Sequence, residues 1–96
     1  MSSKPLVSIL IPAYNAQEFL ADTVRSALAQ SWSPKEIIIV DDGSRDGSLE
    51  MLREFSQRDS RMKVISRANT GLVGALTDGL RQSRADLIAR MDSDDA

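Results

Sequence analysis

The chain has no histidine and no cysteine among its 96 residues. Their absence excludes Cys/His zinc sites, thiol nucleophiles, disulfides and any histidine-based triad within this stretch, and it fits a reducing compartment. Aromatics are scarce: Tyr14, Phe19, Trp32 and Phe55 are the whole set. No apolar run approaches the roughly 20 residues needed to span a bilayer, and residues 1–4 are too short and polar for a signal peptide. Neither sign of charge dominates. Twelve Lys and Arg are scattered among fourteen Asp and Glu for a net charge of -2, which leaves no basic footprint for nucleic acid. What remains is an ordinary globular composition, 42% apolar and 27% charged, at a length suited to one small domain or a piece of one.

Hydrophobic patterning alternates between strand and helix. Leu6 to Ile11 reads as a first strand stopped by Pro12. Asn15-Ala16-Gln17-Glu18 has the spacing of a capping box, and Leu20, Val24, Ala27 and Leu28 then form one apolar stripe that ends at Ser33-Pro34. Glu36 to Val40 is apolar without alternation, as a strand covered on both faces should be. After the loop Asp41 to Ser48, a second helix turns Leu49, Leu52 and Phe55 inward, and Met62 to Ser66 forms a third strand. Asn69-Thr70-Gly71 makes a turn. A third helix places Leu72, Val73, Leu76 and Leu80 on one side, and Asp86 to Met91 forms a fourth strand. No repeat, low-complexity tract or interdomain linker breaks the series.

This order predicts an α/β fold, a Rossmann-like αβα sandwich of three layers with a mostly parallel sheet and right-handed crossovers. Its expected strand order is 3-2-1-4, with ligands outside the carboxyl ends of the strands. Pro12 to Asn15, Asp41 to Ser44, Arg67 to Gly71 and Asp92 to Asp95 then converge on one rim. Asp41-Asp42-Gly43-Ser44 could be a turn, since these residue types supply turn geometry. Two adjacent acids at a buried strand end instead favour a site, where a carboxylate accepts a hydrogen bond from a base or a ribose hydroxyl.

Asp92-Ser93-Asp94-Asp95 puts three carboxylates within four residues, which calls for a cation between them. Mn²⁺ and Mg²⁺ take oxygen ligands, often one or two carboxylates plus substrate phosphates. A frayed terminus or an incomplete EF-hand loop are the alternatives. Burial is the expectation for Trp32, Tyr14 is open to stacking on a base or sugar, and Arg90 relieves the repulsion of the acids. Arg67 and Asn69 are expected at the surface, with a phosphate or base as the other use.

Together these segments resemble the amino-terminal part of a family 2 glycosyltransferase with the GT-A fold. The resemblance runs through Val7 to Asn15, Glu36 to Ser48, Asn69 to Gly71 and Ile88 to Asp95, in order and across essentially the whole chain. It implies that residues 1–96 are a truncated GT-A domain without its acceptor half. Pro12, Ala13, Tyr14 and Asp42, with Asp41 alongside, would hold the nucleoside, and Asn69 belongs with them. Asp92 and Asp94 would form the DxD motif on the ribose and the metal, with Asp95 sharing the metal. Many members carry Arg-Asn in the third helix, where this chain has Leu76-Thr77.

The implied reaction is inverting transfer of a sugar from a nucleotide-sugar donor, most simply a UDP-sugar, to a glycan or lipid-linked acceptor. Its base would lie beyond Ala96, so the fragment alone is expected to be inactive. The expected location is the cytoplasm or the cytoplasmic face of a membrane, and the fourth strand would leave a sheet edge open to self-association. The rival is a noncatalytic, receiver-like module that holds Mg²⁺ on acidic strand ends. It needs a lysine at a further strand end, and Lys4, Lys35 and Lys63 do not supply one.

Overall fold

Eight consecutive buried residues, Lys35–Asp42, form the strand around which the chain is organised. Their β-branched centre, Ile37 to Val40, suits an extended backbone covered on both faces. A computed structural model describes residues 6–30, 35–68, 71–85 and 87–91. Its elements run β1 (Val7–Ala13), α1 (Gln17–Ala29), β2 (Lys35–Asp42), α2 (Ser48–Arg58), β3 (Met62–Arg67), α3 (Leu72–Gln82) and β4 (Leu87–Arg90). The sheet is parallel in order β3-β2-β1-β4, as expected from the alternating pattern. Trp32 and Ser33-Pro34 lie outside the described residues.

Alternation along the central strands divides the core in two. Ile9, Ile11, Ile37 and Ile39 point to one face, where Leu20, Val24 and Ala27 of α1 and Leu52 of α2 cover them. Leu10, Ile38 and Val40 point to the other, under Ala75 of α3. Each such side chain, fully buried, contributes about 1.5–3 kcal/mol relative to exposure. None of the described helices is long and apolar enough to cross a membrane.

Three local expectations are corrected. Pro12 does not stop the first strand; β1 continues to Ala13, with Pro12 in register with Val40. Leu10 accepts from Met91 N–H on the β4 side, and alternation turns Pro12 to that same side, beyond the last β4 pair. Its missing N–H therefore costs the β1–β2 ladder nothing.

Asn15 does not cap α1: Ala16 holds the N-cap position and makes no side-chain capping bond. Asn15 instead adopts a left-handed backbone, φ 47°, which Asn tolerates better than most residues, and its carboxamide is used elsewhere. The inward face of α3 is also different. Val73 is 79% exposed and Leu80 50%, while Ala75 and Gly79 meet the sheet. The helix lies so close that a methyl on Gly79 would collide with Leu10.

The pole opposite the carboxyl rim is closed by two charged side chains. Lys35 Nζ donates to the Leu28 and Gln30 carbonyls at 2.5 and 2.7 Å, satisfying the end of α1 with a cation suited to its dipole. Glu36 accepts from Ser8 Oγ at 2.5 Å and from Arg84 N–H at 2.8 Å, with Lys63 Nζ 3.4 Å away. Burial would raise its pKa, yet these partners outweigh that effect and hold it below the ordinary value. Both lysines sit at strand starts, so neither can serve the acidic rim in the receiver-like manner.

Candidate functional site

All four strands run parallel, so Tyr14, Gly43, Ala68 and Met91 emerge on the same rim. The first two loops are interlocked by polar contacts. Asn15 N–H donates to Ser44 Oγ at 2.8 Å, and Asn15 Oδ1 accepts from Arg45 N–H at 2.7 Å. Ala16 N–H donates to Ser48 Oγ at 3.1 Å, and Gln17 Oε1 accepts from Gly47 N–H at 2.9 Å.

Asp46 joins the two helices. One oxygen accepts from Gln17 N–H at 3.2 Å at the start of α1, and the other from Ser48 N–H at 2.9 Å at the start of α2. The start of α1 is thus capped across the chain, whereas α2 is capped locally by the residue just before its N-cap Gly47. Burial pulls the Asp46 pKa up, but the hydrogen bonds from Ser48 and Gln17 prevail and lower it. By sequence alone Asp46 is a loop residue. Its only signal was its place just before a Gly-Ser helix start.

Of the first-loop residues, Ala13 buries its side chain in the core, Pro12 is half-buried, and Tyr14 is 47% exposed at the rim. Its ring is the apolar surface that the loop offers to solvent. Asp41 and Asp42 end β2 on opposite faces. Asp41 is 1% exposed; its Oδ2 accepts from Ser44 N–H at 3.2 Å, closing the turn at Gly43, φ 77°. Its Oδ1 is buried without a hydrogen-bond partner among the described residues. A second acceptor at this strand end is therefore unused by the turn.

Asp42 is held more completely. Its Oδ2 accepts from Gly71 N–H at 2.9 Å, and its Oδ1 lies 3.3 Å from Arg67 Nε. Gly71 has φ 97° and precedes α3, so the bond ties the third rim loop to β2. Arg67, expected at the surface, has a side chain only 18% exposed and also donates from Nη1 to Asp78 of α3 at 2.6 Å. A carboxylate fixed in this way can only accept, so it suits an N–H or O–H donor of a ligand. The departure in α3 has a simple outcome. Leu76 packs into the core and Thr77 Oγ1 donates to Val73 O, so neither reaches the rim.

Asn69, Asp92, Asp94 and Asp95 lie outside the described residues. Among the described residues, no group of three or more acidic, His or Cys side chains could hold a metal ion. Asp42 is already ion-paired and Asp41 is enclosed, so this pair is no metal centre by itself. The carboxylate run 92–95, in which the sequence leads one to expect the metal ligands, follows β4 in the chain.

Comparison with known proteins matches residues 8–96 to the family model described as Glycosyl transferase family 2. The uncharacterized glycosyltransferase EpsJ of Bacillus subtilis is 42% identical over 91 residues, covering 95% of this chain and 26% of that protein. Chondroitin synthase of Escherichia coli is also 42% identical over 91 residues, covering 95% of this chain and 13% of that protein. The chain spans 13–37% of the length of the curated relatives it matches.

In fold, it is similar to the mannosyltransferase PcManGT of Pyrobaculum calidifontis in complex with GDP-Man and Mn²⁺. The TM-score is 0.87 at 20% identity, over 97% of this chain and 28% of that one. TarS 1–349 of S. aureus gives 0.81 at 26% identity, over 92% of this chain and 27% of that one, and has also been solved in complex with UDP-GlcNAc.

Proposed function

The chain belongs to glycosyl transferase family 2, and from that premise we propose that it forms the donor-binding part of a nucleotide-sugar-dependent glycosyltransferase. One observation carries the reading. The rim presents a firmly held acceptor, Asp42, at the end of β2, and the exposed Tyr14 follows the neighbouring strand β1 on the same rim. β2 and β4 flank β1, and Arg90 at the end of β4 is level with Ile38, four residues short of Asp42, so at about 4.8 Å per strand and about 3.3 Å per residue the two strand ends stand roughly 16 Å apart. A nucleoside diphosphate can bridge that span, with its base on Asp42 and its phosphates toward the carboxylates that follow β4.

In this reading Asp42 accepts the N3–H of uracil, and Pro12, Ala13 and Tyr14 form the wall on which the base lies. Asp41 and Asn69 support the nucleoside from the flanking loops. Asp92 meets the ribose. Asp92, Asp94 and Asp95 would hold Mn²⁺ or Mg²⁺, which when bound supplies Lewis-acid stabilisation of a leaving diphosphate. A UDP-sugar is the proposed donor. Structures of similar fold hold UDP-GlcNAc in one case and GDP-Man in another, so both nucleotides belong in the test.

Transfer would invert the anomeric centre in a single displacement, with the base and the glycan or lipid-linked acceptor held by sequence outside these 96 residues. The proposed location is the cytoplasm or the cytoplasmic face of a membrane. Titration calorimetry with UDP and with GDP, each with and without Mn²⁺, checks the assignment. Metal-dependent binding is expected for UDP and should be lost in Asp94→Ala. The 96-residue chain is expected to bind without transferring sugar. Binding that ignores both metal and Asp94 would overturn the assignment.

A further inference from the structure

Arg67 stands at the carboxyl end of β3, directly beside the end of β2, in register with Asp42. Its guanidinium faces two carboxylates from different elements: Asp42 Oδ1 at 3.3 Å from Nε, and Asp78 Oδ2 at 2.6 Å from Nη1. The Asp42 carboxylate is gripped from its other oxygen by Gly71 N–H at 2.9 Å. A hydrogen bond to one oxygen and an ion pair beside the other hold the carboxylate from both sides, and Asp78 anchors the far side of the cation in that pair. The side chains of Arg67 and Asp42 are 18% and 8% exposed, so this pair is well shielded from water.

Two physical consequences follow. A planar, forked guanidinium can serve two carboxylates at once with fixed directions, which a lysine ammonium cannot. A base laid on Asp42 would strip the last water from an anion, a step that is costly unless a cation already balances the charge. Arg67 meets both needs: it orients the acceptor and neutralises it in advance.

We propose that Arg67 is a positioning residue for base recognition, setting the Asp42 carboxylate in the orientation that accepts the base N–H, with Asp78 holding Arg67 in place. The role rests on the nucleotide-sugar reading above. It gives Arg67 a share in nucleotide discrimination without any contact of its own to the ligand. Uracil carries a hydrogen on N3 and cytosine does not, so an oriented acceptor-only group separates the two.

The test compares UDP and CDP, each with Mn²⁺, by calorimetry on wild type, Arg67→Ala, Arg67→Lys and Asp78→Asn, with melting curves to verify folding. Wild type is expected to prefer UDP. In Arg67→Ala, UDP affinity should fall about tenfold while CDP changes little, so that the preference narrows. Arg67→Lys should recover part of the loss, because charge returns without the fork. Asp78→Asn should narrow the preference less than Arg67→Ala, and it carries the test if that variant does not fold.

Equal loss of UDP and CDP in the variants, or an unchanged preference, would overturn the role. So would a wild type that binds both nucleotides equally well. Failure of wild type to bind either nucleotide would instead remove the donor reading, and the role of Arg67 with it.

Discussion

Asp46 shows how one side chain can hold two segments far apart in sequence. It accepts from the first turns of both α1 and α2, so its loss leaves a helix N-terminus unsatisfied in each. Asp46→Ala is expected to lower stability by about 0.5–2 kcal/mol in urea titrations at neutral pH, the usual range for a lost cap. The pH dependence follows from its lowered pKa. A carboxyl depressed in the folded state stabilises above its unfolded pKa, and that contribution disappears as pH falls through the folded value.

Asp59 behaves in the same direction. The Arg61 side-chain hydrogen bond leads in lowering its pKa from 3.8 to about 2. Its contribution is therefore present above about pH 4 and fades toward pH 2, and partial exposure of the pair keeps it modest. Acid unfolding monitored by circular dichroism should accordingly be shallower in Asp46→Ala than in wild type.

At the scale of the element, α3 departs most from its apolar periodicity. Of the leucines and valine that helical spacing predicts on one side, Leu76 does pack against the core, but Val73 and Leu80 are exposed and Ala75 and Gly79 meet the sheet instead, because small residues allow close approach to a surface already filled by Leu10, Ile38 and Val40. Hydrophobicity alone cannot distinguish a large side chain facing the sheet from one left outside. Distance of approach decides, and that is a property of two elements together. Gly79→Ala is expected to destabilise by about 1–3 kcal/mol through overpacking against Leu10, despite the better helix propensity of alanine. Val73→Ser, on the exposed side, should change stability by less than about 0.5 kcal/mol. Chemical denaturation of the two variants side by side measures the difference.

At the scale of the molecule, β3 and β4 are the edges of the described sheet. β4 exposes Leu87 at 52% and Ile88 at 45%, a short apolar edge that no further strand covers among the described residues. The 96-residue chain is expected to self-associate with rising concentration through this edge. Ile88→Lys should reduce that association in sedimentation velocity runs while leaving the melting temperature nearly unchanged, since the side chain is already half exposed. An association unaffected by Ile88→Lys would place the contact elsewhere.

The element order, the parallel sheet and its rim were legible in the sequence because they follow from hydrophobic period and from the rule that parallel strands share a carboxyl end. Asp41 and Asp42 were legible as the pair of acids that ends β2, because the strand's centre, Ile37 to Val40, is apolar throughout. Their division of labour was not legible. Alternation sends Asp41 toward the turn at Gly43 and Asp42 toward Gly71 and Arg67, partners 29 and 25 residues away in sequence. Likewise the capping of α1 by Asp46 and Ser48, and the inward face of α3, depend on which segments the fold brings within hydrogen-bond or van der Waals reach. Local sequence determines which backbone each segment prefers. Only the packed sheet decides which polar groups find each other, because that choice is made across contacts no local pattern encodes.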